Sequence, residues 1–226
     1  QAVLGWGGDP VAHPELMEDM RIPHIASPDA HVDAEGRRVV MYYHGLEGVS
    51  RQVTRAAVSS DGVSFQSGAE ILGQTYWRAF RHDGLTYALA MPGQFYRSPD
   101  PLSGFERGPL LFNRNMRHNA VLARGDTLYV AWTQVGDAPE RIYLSSIDMS
   151  GPWETWRESA PVELLRPERD WEGADRPLVS SYRSTAPGRV NQLRDPAFFE
   201  EDGRVFMVYA IAGESGLALA EVFLPE

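Results

Sequence analysis

Asp29 and Asp195 each stand beside a proline at the mouth of an apolar run, in SPDAHVD and RDPAFF. Arg78 and His118 hold similar places ahead of RAFRH and HNAVLA. Two carboxylates, an arginine and an imidazole gathered round one point can move protons and clamp an anion. Arg194 adjoins Asp195, and His31 follows Asp29 by two residues. Loop positions add His44, Glu140 and Glu214, and the stretch WEGAD, 171–175, adds Trp171, Glu172 and Asp175. Trp77 and Trp171 offer apolar faces with a polar edge, the kind of surface on which a sugar ring stacks. Tyr76, Tyr96, Tyr182 and Trp132 are further candidates for stacking.

Something must bring residues so far apart in the chain to one place. Long helical patterns are nearly absent. PELMEDM, 14–20, is a short helix candidate, with Pro14 suited to a first turn. Elsewhere short alternating runs rich in Val, Tyr, Phe and Trp are separated by Gly, Asp and Pro, which predicts an all-β protein. Four stretches share one grammar, beginning at DAHVDAEGRRVVMYYHG, RAFRHDGLTYALAMPG, HNAVLARGDTLYVAWTQVG and DPAFFEEDGRVFMVYAIAG. In each, a polar entry residue leads a short strand. An acidic-glycine turn follows, then an aromatic strand, a loop and a third strand. Such turns between alternating runs signal hairpins. Repetition of four-stranded units predicts a β-propeller rather than a sandwich. The expected blades cover about 24–73, 76–112, 116–165 and 192–225 of a single domain, 1–226. The stretch GWGGDP, 5–10, is too short for a blade and lacks the flanking strand and helix of a dinucleotide motif.

In a propeller the innermost strands line a central channel, so the entry residues Asp29, Arg78, His118 and Asp195 are expected at one mouth. The loops bearing His44, Glu140, Glu214 and Glu172 should return to that same face. The turn acids Asp83, Asp126 and Asp202 should lie on the opposite one.

Bulk composition narrows the function. The 226 residues are 43 % apolar, enough for a sizeable core. With 31 acidic and 21 basic residues the formal charge is −10, which argues against nucleic-acid binding. Apolar runs fall far short of the roughly 20 residues of a spanning helix, so no membrane partner is expected. The absence of cysteine removes disulfides, thiol catalysis and thiolate metal sites. It leaves the compartment open, cytoplasmic or exported, for a soluble protein.

HIASPDAHVD with RRVVMYYHG resembles one blade of the family 43 glycoside hydrolases, and LRDPAFFEEDGRVFMVY resembles their RDP blade. From HIASPD through VGDAPERI, DWEGAD and NQLRDP to AGESG, the chain is similar to an uncharacterised bacterial group of five-bladed propeller proteins related to that family. The resemblance implies a propeller of the five-bladed glycosidase type, with its first blade absent here. It also implies hydrolysis of a glycosidic bond by paired carboxylates in a funnel. Asp195 would be base or nucleophile and Asp29 the orienting aspartate, with Glu172 or Glu140 as acid. Arg78, Arg194 and His118 suggest a short or acidic oligosaccharide.

The residues also fit a non-catalytic carbohydrate-binding propeller, or a sugar lyase with His118 or a tyrosine as base. A fourth reading is an incomplete propeller completed by an oligomer or a companion segment. No cofactor is required and no metal site is assigned. Asp29, His31 and Asp33 alternate on one strand face, however, and the channel has room in principle for calcium or another divalent ion.

Overall fold

A computed structural model describes residues 21–49, 51–186 and 188–225. The helix candidate at 14–20 and the stretch GWGGDP lie outside the described residues. The chain is all-β, and the described residues form fifteen strands in four antiparallel sheets. Blade 1 holds β1 (Ile25–Asp33), β2 (Arg38–Gly48), β3 (Arg51–Ser59) and β4 (Gln66–Ser67). Blade 2 holds β5 (Arg78–His82), β6 (Leu85–Ala90), β7 (Gln94–Ser98) and β8 (Glu106–Leu110). Blade 3 holds β9 (Met116–Arg124), β10 (Thr127–Gln134), β11 (Ile142–Asp148) and β12 (Val162–Leu165). Blade 4 has three strands among the described residues, β13 (Arg194–Glu201), β14 (Arg204–Ile211) and β15 (Gly216–Val222). The architecture is a four-bladed β-propeller. Four blades were expected in this chain, and the described residues form four.

The turns obey their sequence. Asp83-Gly84 and Asp202-Gly203 both have positive φ at the two central residues, the conformation that matches strand twist in a two-residue hairpin. In blade 1 the longer turn is closed by Asp33, whose Oδ1 accepts the Gly36 amide at 3.0 Å.

Three buried apolar seams join successive blades. Tyr42 and Val40 of blade 1 pack on Trp77, Ala88 and Tyr96 of blade 2. Leu89 and Phe95 of blade 2 meet Met116, Leu128 and Trp132 of blade 3, sealed by Trp153 and Trp156. Ala131 and Ile142 of blade 3 meet Leu193, Met207 and Tyr209 beside and within blade 4. Among the described residues no comparable seam joins blade 4 to blade 1. Leu217 and Leu219 of β15 stay exposed, as do Ile25 and Val32 of β1. Trp77 is a core residue, 1 % exposed and 4.8 Å from the Tyr96 ring, so it has no face to offer a ligand.

Candidate functional site

The entry of each inner strand carries an irregularity that decides which side chain reaches the mouth. In blade 1, Asp29 pairs with Tyr42 and Ala26 with His44, so Ser27 and Pro28 together stand opposite one residue. Blade 4 repeats this, with Ala197 on Val208, Arg194 on Ala210, and Asp195 and Pro196 between them. In blade 2, Arg78 pairs with Leu89 and the Met91 amide bonds to the Thr75 carbonyl, placing Tyr76 and Trp77 in the bulge. Ser27, Tyr76 and Asp195 all have positive φ, 51°, 55° and 45°. Non-glycine residues are rarely found there, and such strain gathers at functional sites. A bulge of this kind re-aims a side chain next to a site. Blade 3 sets its bulge one residue further out, at Arg117 and His118.

Counted from the residue that closes each hairpin turn, the sixth position back is Ser27, Tyr76, His118 and Asp195. This is the channel-mouth ring. Sequence had offered Asp29 and Arg78 for blades 1 and 2, two residues too far along. Aligning on the aspartate rather than on the proline hid the match of Ser27-Pro28 with Asp195-Pro196.

His118 is the hub of this ring. It is 1 % exposed, and its Nε2 lies 3.5 Å from Asp195 Oδ1. Its Nδ1 is 3.1 Å from Thr133 Oγ1, which donates to Glu140 Oε1 at 2.8 Å. The Tyr76 ring stands 5.0 Å from His118, nearly edge-on, and 5.0 Å from His44. Burial first, then Arg117, Arg194, Arg78 and Arg183, hold His118 well below the ordinary histidine range, so it is neutral. Burial likewise lowers His44 to about 4, with His24 and Arg78 assisting.

Below the mouth lies a buried ionic layer. Glu140 is fully buried, with Oε2 3.5 Å from both Arg117 Nη1 and Arg194 Nε. Arg117 donates to the Tyr182 and Ser184 carbonyls, and Arg194 to Ser184 O, Gln192 Oε1 and Glu214 Oε1. Arg78 donates to the carbonyls of Ser27, Trp77 and Asn119, one from each of three blades.

The candidate carboxylates thus differ sharply. Asp29 Oδ2 accepts the Ala79 amide at 2.7 Å and faces His31 Nε2 at 2.8 Å, a cross-blade tie. Glu172 is 5 % exposed and accepts from Tyr209 Oη and from the amides of Glu168 and Arg169. The turn that carries it needs Gly173, at φ 94°, where a Cβ would sit 2.2 Å from the Val190 carbonyl. Glu214 remains half-exposed beside Arg194. Asp175 pairs with Arg176 and Arg189, while Trp171 is 54 % exposed on the same short turn. Asp195 is 36 % exposed and, among the described residues, receives no hydrogen bond of ordinary length. Burial pushes it above the usual carboxylate range, with Glu214 adding to the rise against the pull of Arg117, Arg78 and Arg194.

Among the described residues no three His, Asp or Glu side chains form a ligand cluster. His31 faces Asp29, whereas Asp33 turns to Arg38 and Gly36. Among the described residues no helix is long and apolar enough to cross a membrane.

Comparison with known proteins places the fold. No family model matches the chain. An uncharacterised protein of Acanthamoeba polyphaga mimivirus is 36 % identical over 217 residues, which cover 88 % of this chain. The chain spans 61 % of that relative's length. The expected kinship with a bacterial five-bladed group is therefore corrected, since this relative is viral and the described blades number four. Among solved structures, a thermostable family-43 glycoside hydrolase superposes with a TM-score of 0.63 at 17 % identity, over 89 % of this chain and 70 % of that one. The alpha-L-arabinofuranosidase of Lactobacillus brevis gives 0.57 at 15 %, over 88 % and 67 %. The alpha-L-arabinanase of Cellvibrio cellulosa, complexed with arabinohexaose, gives 0.56 at 11 %, over 89 % and 75 %. At these identities the likeness is one of fold: a propeller of the kind seen in family-43-like glycosidases.

Proposed function

We propose that the chain hydrolyses a glycosidic bond in a short or acidic oligosaccharide, with Asp195 as the base or nucleophile at the channel mouth. The observation that carries this reading is Asp195 itself. It is a left-handed residue at the mouth of a glycosidase-type propeller, open to a ligand, and not tied by a hydrogen bond as Asp29 and Glu172 are. Arg78 and Arg183 bring positive charge to the mouth beyond Arg117 and Arg194, which Glu140 and Glu214 already match, and this favours a sugar bearing a carboxylate. Glu214, His44, Tyr76 and Ser27 supply polar edges for hydroxyl groups.

Products from a panel of neutral and uronate-containing oligosaccharides test the reading. New reducing ends are expected, and unsaturated products would transfer the site to elimination. Binding without turnover would make it a carbohydrate-binding propeller. Because Asp195 is raised, the acidic limb of kcat/KM is expected above the ordinary carboxylate range, as activity requires its ionised form. A limb at or below that range would exclude Asp195 as the base.

The seam between blades 4 and 1, open among the described residues, bears on assembly. Exposed Leu217 and Leu219 suit a second copy of the chain or a companion segment as cover. Light scattering is expected to show self-association that Leu219→Lys weakens. A monomer at every concentration would leave the companion segment as the cover.

A further inference from the structure

Hydrolysis with Asp195 as base requires a second group that gives a proton to the departing oxygen. Three other carboxylates near this face are committed elsewhere. Glu140 is fully buried under two guanidinium groups. Glu172 receives three donors, and Glu214 holds Arg194 at 2.6 Å. The ring position of blade 2 is filled differently, by a phenol.

We propose that Tyr76 is the proton donor that works opposite Asp195, so that this site pairs one carboxylate with one phenol. The inference rests on the hydrolytic reading above. Three observations support it. Tyr76 holds the same strained bulge position in blade 2 that Asp195 holds in blade 4, with φ of 55° and 45°. Its ring is set between His44 and His118, 5.0 Å from each, and its carbonyl accepts Asn119 Nδ2 at 3.0 Å, so it cannot swing freely. His118, against which it packs, reaches Asp195 at 3.5 Å, so the two ring residues share one neighbour. Burial raises the phenol above its ordinary range, with Arg117 opposing and Asp195 and Glu214 adding, so the proton is present at neutral pH.

The step balances as follows. Asp195 takes a proton from water as the water oxygen bonds to the anomeric carbon. The glycosidic C–O bond breaks, and Tyr76 gives its phenolic proton to the leaving oxygen. Exchange with solvent then moves a proton from Asp195 to the tyrosinate. His118 is a positioning residue, held neutral between Thr133 and Asp195.

The test compares two leaving groups on one sugar, a 4-nitrophenyl glycoside and the corresponding disaccharide, with the sugar chosen by the panel. Nitrophenolate leaves without a proton, whereas a sugar alkoxide does not. Tyr76→Phe is expected to lower kcat on the disaccharide by about 10²-fold, the scale of general acid catalysis. On the nitrophenyl glycoside its rate should stay within about threefold of wild type, with KM changed little on either. Asp195→Asn should lower both. An unchanged disaccharide rate in Tyr76→Phe, or an equal loss on both substrates, overturns the assignment while Asp195 stands. Full activity in Asp195→Asn, or a wild-type chain inert on the whole panel, overturns the hydrolytic reading and this one with it. Uniform 3-fluorotyrosine labelling lowers phenol pKa without altering shape. It should move the alkaline limb of the disaccharide profile downward, and no such movement would also overturn the role of Tyr76.

Discussion

Replacing Asp195 with Asn is expected to leave the propeller standing and to lower turnover by about 10²- to 10⁴-fold, the range of acid–base participation. The amide fills the same volume and cannot take a proton. Folding should not suffer. A carboxylate whose pKa is raised on folding binds its proton more readily in the native chain than in the unfolded one. Its contribution to stability is therefore present at low pH and is lost as pH rises through the window from the ordinary Asp value to the raised one. Above that window the native state carries the penalty in full, so there Asp195→Asn should melt no earlier than wild type. Thermal scans at pH 4 and pH 7 beside steady-state rates on a panel substrate check both halves. A variant as active as wild type would remove Asp195 from the chemistry, and one that melts much earlier would show that its carboxylate supports the fold.

The second large effect concerns stability. Glu140→Ala is expected to cost about 3–5 kcal/mol, the scale for stripping one partner from a buried ionic group. Glu140 is wholly enclosed and faces Arg117, Arg194 and, through Thr133, His118. Burial alone would make Arg117 easier to deprotonate. Glu140, with Tyr76, Asp195 and Glu214 adding, outweighs that and keeps it firmly charged, so the alanine variant would strip Arg117 of its ion pair and leave Arg194 with Glu214 alone. At this chain length each kcal/mol moves the midpoint by about 2–4 °C, so the fall in Tm should be on the order of 10 °C. A loss below about 1 kcal/mol in denaturant titration would show that water reaches this layer.

The repeat was legible because hairpin turns have demanding chemistry. Asp83-Gly84 and Asp202-Gly203 announce themselves in any β pattern, and counting from them locates each inner strand. What pattern alone did not give was the bulge. One extra residue on a strand shifts which side chain turns inward, so Ser27 and Tyr76 were displaced in favour of Asp29 and Arg78. The prolines were the missed signal. Pro28 and Pro196 mark matching bulges, and Ser27 rather than Asp29 then stands against Asp195. Burial of loop acids was equally hidden. Glu140 and Glu172 sit in segments that read as loops at the mouth, yet each is enclosed by partners far away in sequence, Arg194 for one and Tyr209 for the other. Trp77 misled for the reverse reason, since a large aromatic beside the mouth serves the seam between blades.

The hairpin turns that made the repeat legible have a practical use as well. Each lies at the far end of an inner strand, six residues from the ring position, or about 20 Å at the usual strand rise. Gly84, Gly125 and Gly203 have open space around them, with nothing within 4 Å of where a Cβ would stand. The protein therefore presents three natural handles on the face away from its chemistry. In a chain without cysteine, a single thiol placed in the exposed side chain of Asp83 or Asp126 would be the sole attachment point for a fluorophore or a solid support. Anchored that way, the channel mouth would face outward into solution, open to a panel of candidate ligands flowing past.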